Sequence, residues 1–214
     1  MKKINIFLFV LSILSLIGQC LLLPQMPDTV PIHWNTAGEV NGFGSKYITL
    51  VLAAVPLILF LLFFLLPRID PRKASYEKHQ KAYDIFRVFV ILLFTAFVWV
   101  SNGAMMGWPV SINRVVPIGI GILLLVIGNY MPQIRSNYTF GIKTPWALES
   151  PYVWKKTHAA GGVLFCIYGI LMILSGIFPS PWMTNLTLAV ILLGVAGMYL
   201  YSWLLFRKEC GKKS

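Results

Sequence analysis

Apolar residues in this chain neither alternate with polar ones nor recur at the spacing of a surface helix. They run almost unbroken through six blocks, 4–23, 47–66, 88–106, 115–130, 159–178 and 185–206, each closed by a polar segment. Every block approaches the roughly 20 residues needed to cross a hydrocarbon core as an α-helix. The pattern predicts an all-α, polytopic integral membrane bundle of six transmembrane helices. Its regions read as 1–66, two spans and the loop between them; 67–114, a basic loop and the third span; 115–206, three spans with a polar loop; and 207–214, a basic tail. With 57% hydrophobic residues in 214, little chain is left for a soluble domain, so function belongs to the bundle and its loops.

Charge orients the bundle. Of the 18 Lys and Arg, all but Lys46 and Arg114 fall before the first block, between the second and third, between the fourth and fifth, or after the sixth. Cytoplasmic segments retain such positive charge, so both termini are expected in the cytoplasm. A net charge of +11 then reads as attraction to anionic lipid, with membrane lipids as partners and no direct nucleic-acid binding. Met1-Lys2-Lys3 before an apolar run resembles the start of a secretory leader, but the run is longer than a usual leader and lacks a small-residue cleavage site, so it is expected to remain as a span. Cys20, Cys166 and Cys210 show neither a disulfide framework nor zinc-ligand spacing. No cofactor, metal or catalytic residue is expected.

Loop composition is more selective. Residues 24–46, on the outer side, hold three prolines and three glycines, which argue for a compact, turn-rich loop with Asn41-Gly42 as a turn. Trp34, Phe43 and Tyr47 suit the headgroup layer. Two readings stand for this loop, a cap on the bundle and a ligand-contacting surface. His33 has only Asp28 and Glu39 as acidic neighbours and reads as a hydrogen-bonded loop histidine. On the other side, residues 69–84 carry Glu77 and Lys81 four apart, which predicts a helical extension of the third span serving solvation and lipid contact. In residues 128–158, Thr144-Pro145 and Ser150-Pro151 each put a capping side chain before a proline, predicting two helix starts. The aromatics Trp146, Tyr152 and Trp154 lie beside Lys143, Lys155 and Lys156, either as an interfacial belt or as a docking surface for a cytoplasmic partner or lipid headgroup.

No block carries an Asp, Glu, Lys or Arg in its middle, which weighs against ion-coupled transport. Paired aspartates, HExxH and GxSxG are absent from the blocks, which weighs against intramembrane proteolysis. Gly121 and Gly128, and Gly162, Gly169 and Gly176, repeat every seven residues and predict small-residue packing seams. Met26-Pro27 with Asn35 and Gly38 echoes Met131-Pro132 with Asn137 and Gly141, a faint sign of inverted repeats.

Pro31-Ile32-His33-Trp34-Asn35, Gly38, Asn41 and Gly44-Ser45-Lys46 resemble the N-terminal signature of the Sdp-type immunity proteins. Gly128-Asn129, Met131-Pro132, Asn137, Gly141 to Trp146, Trp154, Thr157-His158 and Gly161-Gly162 resemble their C-terminal signature, with Lys143 where arginine is more usual. The resemblance implies a bacterial plasma-membrane protein that protects its own cell from a secreted peptide toxin. In the founding case it also implies a receptor that holds a small winged-helix repressor at the membrane. On this reading His33, Trp34, Asn35, Gly38 and Lys46 face the toxin, and Arg135, Asn137, Lys143, Trp146 and Trp154 face the repressor. A small-molecule or lipid transporter and a membrane enzyme are the competing readings.

Overall fold

The computed structural model describes residues 2–35 and 37–211. Thr36, and Lys212 and Lys213 of the basic tail, lie outside the described residues. Six helices are long and apolar enough to cross a membrane. These are α1 (Lys2–Leu22), α2 (Ile48–Ile69), α4 (Gln80–Met105), α5 (Ile112–Tyr130), α7 (Pro151–Ile177) and α8 (Pro181–Cys210); α3 (Ala74–Lys78) and α6 (Pro145–Glu149) are short helices in the connections. Up-and-down order places a β-hairpin, the α4–α5 turn and the α7–α8 turn at one end of the bundle. Segments 70–79 and 131–150 share the other end with the start of α1 and the end of α8.

α4 and α7 begin well before their apolar blocks, because capping and chain geometry set a helix start where hydropathy does not. α7 begins at Pro151, with Ser150 Oγ accepting from Val153 N at 3.2 Å; α6 begins at Pro145, with Thr144 Oγ1 accepting from Ala147 N at 3.1 Å. Ser180 caps α8 in the same way through Met183 N, also before a proline. The expected extension of the third span exists, but it breaks at His79 (φ −127°, ψ 23°). Glu77 and Lys81 therefore sit on separate helices, and the expected i,i+4 pair is not on one helical face. Arg87, expected in the loop, is buried within α4 and pairs with Asp84 at 2.8 Å.

The outer loop contains regular structure. β1 (Thr29–Trp34) and β2 (Val40–Ser45) pair antiparallel, with Thr29 opposite Ser45, Trp34 opposite Val40, and irregular register around His33. The reversal falls at 35–39. Asn35 Oδ1 accepts from the backbone N–H groups of Ala37 and Glu39, both at 3.0 Å, and Gly38 supplies the left-handed residue at φ +84°. Asn41-Gly42 is consequently strand, not turn: the Asn35 side chain has already closed the loop.

In the first half, Leu8, Phe60 and Ile91 join α1, α2 and α4. Nearer the hairpin the same helices share a buried amide network. Gln19 Nε2 donates to Thr49 Oγ1 at 2.8 Å, and Gln19 Oε1 accepts from Asn102 Nδ2 at 2.5 Å. In the second half, α5 and α7 pack along their lengths with backbones nearly touching. A Cβ added to Gly121 would stand 2.6 Å from Gly169 O, one on Gly128 would stand 2.6 Å from Gly162 O, and one on Gly176 would stand 2.7 Å from Arg114 O. Lipid offers helices no hydrophobic drive to associate, so this close approach supplies dispersion contact in its place.

Candidate functional site

Two polar surfaces lie at opposite ends of the bundle. On the hairpin, His33 is exposed and its Nδ1 donates to Asn41 Oδ1 at 2.5 Å. Asn35 is half-buried and spent on the turn, its Nδ2 donating to Glu39 Oε2 at 3.0 Å. Gly38 packs against Asn113 at the start of α5, where an added Cβ would come within 2.5 Å of Nδ2, and Asn113 Nδ2 donates to Ala37 O at 3.4 Å. This contact ties the hairpin to the second half of the molecule. Lys46 binds Asp28 at 2.8 Å across the hairpin base; their hydrogen bond holds the Asp28 carboxyl below its usual range and raises the lysine. Trp34 is half-buried, whereas Phe43, Ile32 and Tyr47 are exposed. Asn35, Gly38 and Lys46 thus shape the hairpin, and its open surface is carried by His33, Trp34 and the apolar residues beside them.

At the opposite end, segment 131–150 folds around buried side chains. Asn137 is fully buried: its Nδ2 donates to Arg135 O at 2.8 Å and Phe140 O at 2.9 Å, and its Oδ1 accepts from Thr139 N at 3.0 Å and Phe140 N at 2.6 Å. One amide so replaces the hydrogen bonds a turn of irregular chain would otherwise lack. Trp154, 3% exposed, donates from Nε1 to Ile134 O at 2.8 Å and stacks on His158 at 4.0 Å between centroids. His158 accepts from Ile142 N at Nε2 (3.1 Å) and meets Trp154 O at Nδ1 (2.9 Å), which assigns a neutral ring with its proton on Nδ1. Gly141, at φ +115°, passes so close that an added Cβ would lie 2.4 Å from His158 Nε2. Trp146 is half-buried, edge-on to Tyr199 of α8 at 5.0 Å. Arg135 and Lys143 are exposed, and Lys143 Nζ reaches the carbonyls of Tyr138 and Thr139 at 3.1 and 3.3 Å. Of the five residues expected to face a partner, Asn137 and Trp154 therefore build the surface from beneath, and Arg135 and Lys143 present themselves on it.

Segment 70–79 docks on this loop, a role composition did not reveal. Asp70, 3% exposed, accepts from Arg72 N at 2.7 Å, Thr139 Oγ1 at 2.8 Å, Tyr138 N at 2.9 Å and Tyr76 OH at 3.3 Å. Burial pushes its pKa up, but these hydrogen bonds together outweigh burial and hold it below the ordinary value. Arg72 donates to Ser136 Oγ, to Tyr138 OH at 3.3 Å and to Leu148 O at 3.2 Å, with its guanidinium over the Tyr138 ring. His79 Nδ1 accepts from Arg135 N at 3.2 Å. A signal existed in the sequence: Asp70 is one of only seven acids in the chain and stands between Arg68 and Arg72-Lys73.

His79 gives this junction a pH limit. Burial, assisted by the Arg135 charge and opposed by Asp70, lowers its pKa from 6.5 to about 4. The folded state then binds fewer protons than the unfolded one between those values, so stability falls as pH drops through that window, by on the order of 3 kcal/mol in total. In acid unfolding of the detergent-solubilised protein, His79→Gln is expected to flatten the limb between pH 6.5 and 4. The Asp70 contribution, lost only as pH falls through its still lower folded value, should remain.

Among the described residues no group of His, Cys, Asp and Glu is placed to hold a metal ion. Residues 133–202 match the SdpI/YfhL protein family, and residues 8–60 match a domain of unknown function (DUF1648). Along 213 residues, spanning the full length of both chains, the protein is 23% identical to "Immunity protein SdpI" of Bacillus subtilis (strain 168). No solved structure matches it. The first family region holds the hairpin and the helices on either side of it, and the second holds the Asn137–Trp154 fold with α7 and most of α8. The six apolar helices and these matches together make the chain a multi-pass bacterial membrane protein, similar to DUF1648 in its first part and to the SdpI/YfhL family in its last.

Proposed function

We propose that this protein is an immunity protein of the bacterial cell membrane, protecting its producer from a secreted, membrane-active peptide toxin. The observation that carries this reading is the end-to-end similarity to the Bacillus subtilis immunity protein, with both family regions in place. The role is binding, without catalysis. In the orientation given by Lys and Arg placement, the hairpin faces outward and the Asp70 junction faces the cytoplasm. A toxin arriving from outside meets the hairpin first, and Trp34 with the exposed Phe43 offers it aromatic surface. The direct test is survival. A sensitive bacterium without its own immunity gene, expressing this chain, should outlive challenge by the secreted, membrane-active peptide of a toxin-producing strain; death at normal protein abundance rejects the reading. Tracer flux in liposomes, or turnover of lipid extracts, would favour a transporter or an enzyme instead.

Within this reading, Trp34→Ala is expected to lower the protective toxin concentration about tenfold, since a central aromatic commonly dominates such a contact. Dose–survival curves at matched abundance measure it, and an unchanged curve removes Trp34 from the contact.

A receptor role is the finer proposal. Arg135 and Lys143, held out by the buried Asn137 and Trp154, are the cytoplasmic contact for a small winged-helix repressor. Toxin binding promotes recruitment by stabilising whichever conformer of the bundle presents that face better. Arg135→Gln with Lys143→Gln should weaken recruitment of a tagged repressor to membranes and leave survival intact.

A further inference from the structure

At the end of the bundle that holds segment 70–79, the start of α1, the last turns of α2, α3 and the first turns of α4 enclose a cavity of about 520 Å³. It adjoins the Asp70 junction and shares Tyr76 with it. One wall is aromatic: Phe63 and Tyr83 pack edge-on, with Tyr83 OH donating to Phe63 O at 2.7 Å. The lining also holds charges of both signs, Arg68 and Arg87 with Glu77 and Asp84.

Two residues of this lining each bury one polar atom without a partner. Arg87 is 6% exposed; its Nη2 is committed to Asp84 at 2.8 Å, but its Nε has no hydrogen-bond partner. Asn5 Oδ1, at the α1 side, is likewise buried and unmatched. Buried polar groups rarely go unpaired, since each costs the desolvation it has suffered. The two atoms make opposite demands: Arg87 Nε needs an acceptor, and Asn5 Oδ1 needs a donor.

We infer that this cavity binds the headgroup of a zwitterionic aminophospholipid, phosphatidylethanolamine, from the leaflet at that end of the bundle. Its phosphate supplies the acceptor for Arg87, and its primary ammonium supplies N–H donors for Asn5 Oδ1 among the carboxylates of Asp84 and Glu77. The balanced charges of the lining suit a neutral dipolar headgroup better than a net anion. A choline headgroup has the same phosphate but no N–H, so it leaves Asn5 unmatched. A glycerol headgroup has no cation for the two carboxylates. The acyl chains leave along the apolar face of α2, where Leu61, Leu62 and Leu65 are exposed.

The full chain, reconstituted with equal amounts of phosphatidylethanolamine, phosphatidylcholine and phosphatidylglycerol of matched acyl chains, is released into detergent and weighed by native mass spectrometry. Retention of phosphatidylethanolamine about fivefold above each competitor is expected, the ratio that one net hydrogen bond supplies. Asn5→Leu, which breaks no hydrogen bond of the asparagine Oδ1, should erase the preference over phosphatidylcholine while phosphatidylglycerol stays disfavoured. Arg87→Gln should lower retention of all three. Equal retention of the three lipids by the native chain overturns the inference, as does an Asn5→Leu protein with unchanged preference. Binding of soluble phosphoethanolamine without retention of any intact lipid overturns the lipid source.

Discussion

Gly169→Val is expected to prevent normal accumulation of the protein. A Cβ at this position would fall 2.7 Å from Gly121 O and 2.8 and 2.9 Å from Leu125 Cγ and N. Two of those obstacles are backbone, which cannot rotate away, so relief requires α5 and α7 to part along their shared length. Overpacking a well-filled core costs about 3 kcal/mol, and here the lost close approach is itself the principal attraction between the helices. Melting in detergent and membrane abundance measure the effect. Gly197→Val is the control, because a Cβ at Gly197 meets nothing within 4 Å. Equal abundance and melting for the two variants would show that the α5–α7 seam tolerates a branched side chain.

The second large effect is expected for Asp70→Ala. Removing this carboxylate strands the Arg72 and Tyr138 N–H groups and frees Tyr76 and Thr139, while the Arg72 side chain, stacked on Tyr138, keeps its charge without the neighbouring anion. Hydrogen bonds to a charged acceptor contribute roughly 1.5–3 kcal/mol each, but water can reach the part-buried donors that lose theirs, so a net loss of about 3 kcal/mol is expected. The loss should be local. Limited proteolysis should find segments 70–79 and 135–143 newly cleavable, while the α5–α7 seam stays protected. Asp70→Glu, with the charge kept but displaced, should recover only part of the resistance. Wild-type resistance in Asp70→Ala would show that Arg72 alone holds the junction.

The six spans were legible because the bilayer imposes one demand, length without charge, and the sequence meets it in uninterrupted blocks. Helix starts were legible where a side chain announces them, as at Thr144-Pro145 and Ser150-Pro151. The same signature at Ser180-Pro181 was equally readable. The hairpin was hidden because Pro31 and three glycines dilute its strand character and because its reversal depends on one side chain, Asn35, outcompeting the more conspicuous Asn41-Gly42. The junction was hidden for another reason. Asp70 and Thr139 lie 69 residues apart, Arg72 and Ser136 lie 64 apart, and no local pattern connects them. In the loop itself, side chains that looked like a presented surface, Asn137 and Trp154, are its foundation: polar and aromatic residues in a loop are ambiguous until their backbone partners are known.

The Asp70 junction sits beyond the ends of the apolar helices, and that location decides which solvent governs it. The Gly seam and the Leu8–Phe60–Ile91 cluster answer to the lipid, through its thickness and lateral pressure. Asp70, Arg72 and His79 answer instead to water, through proton activity and dissolved salt. The molecule therefore joins its two halves with a fastener that the membrane does not control, and the strength of that fastener follows the chemistry of the aqueous compartment it touches.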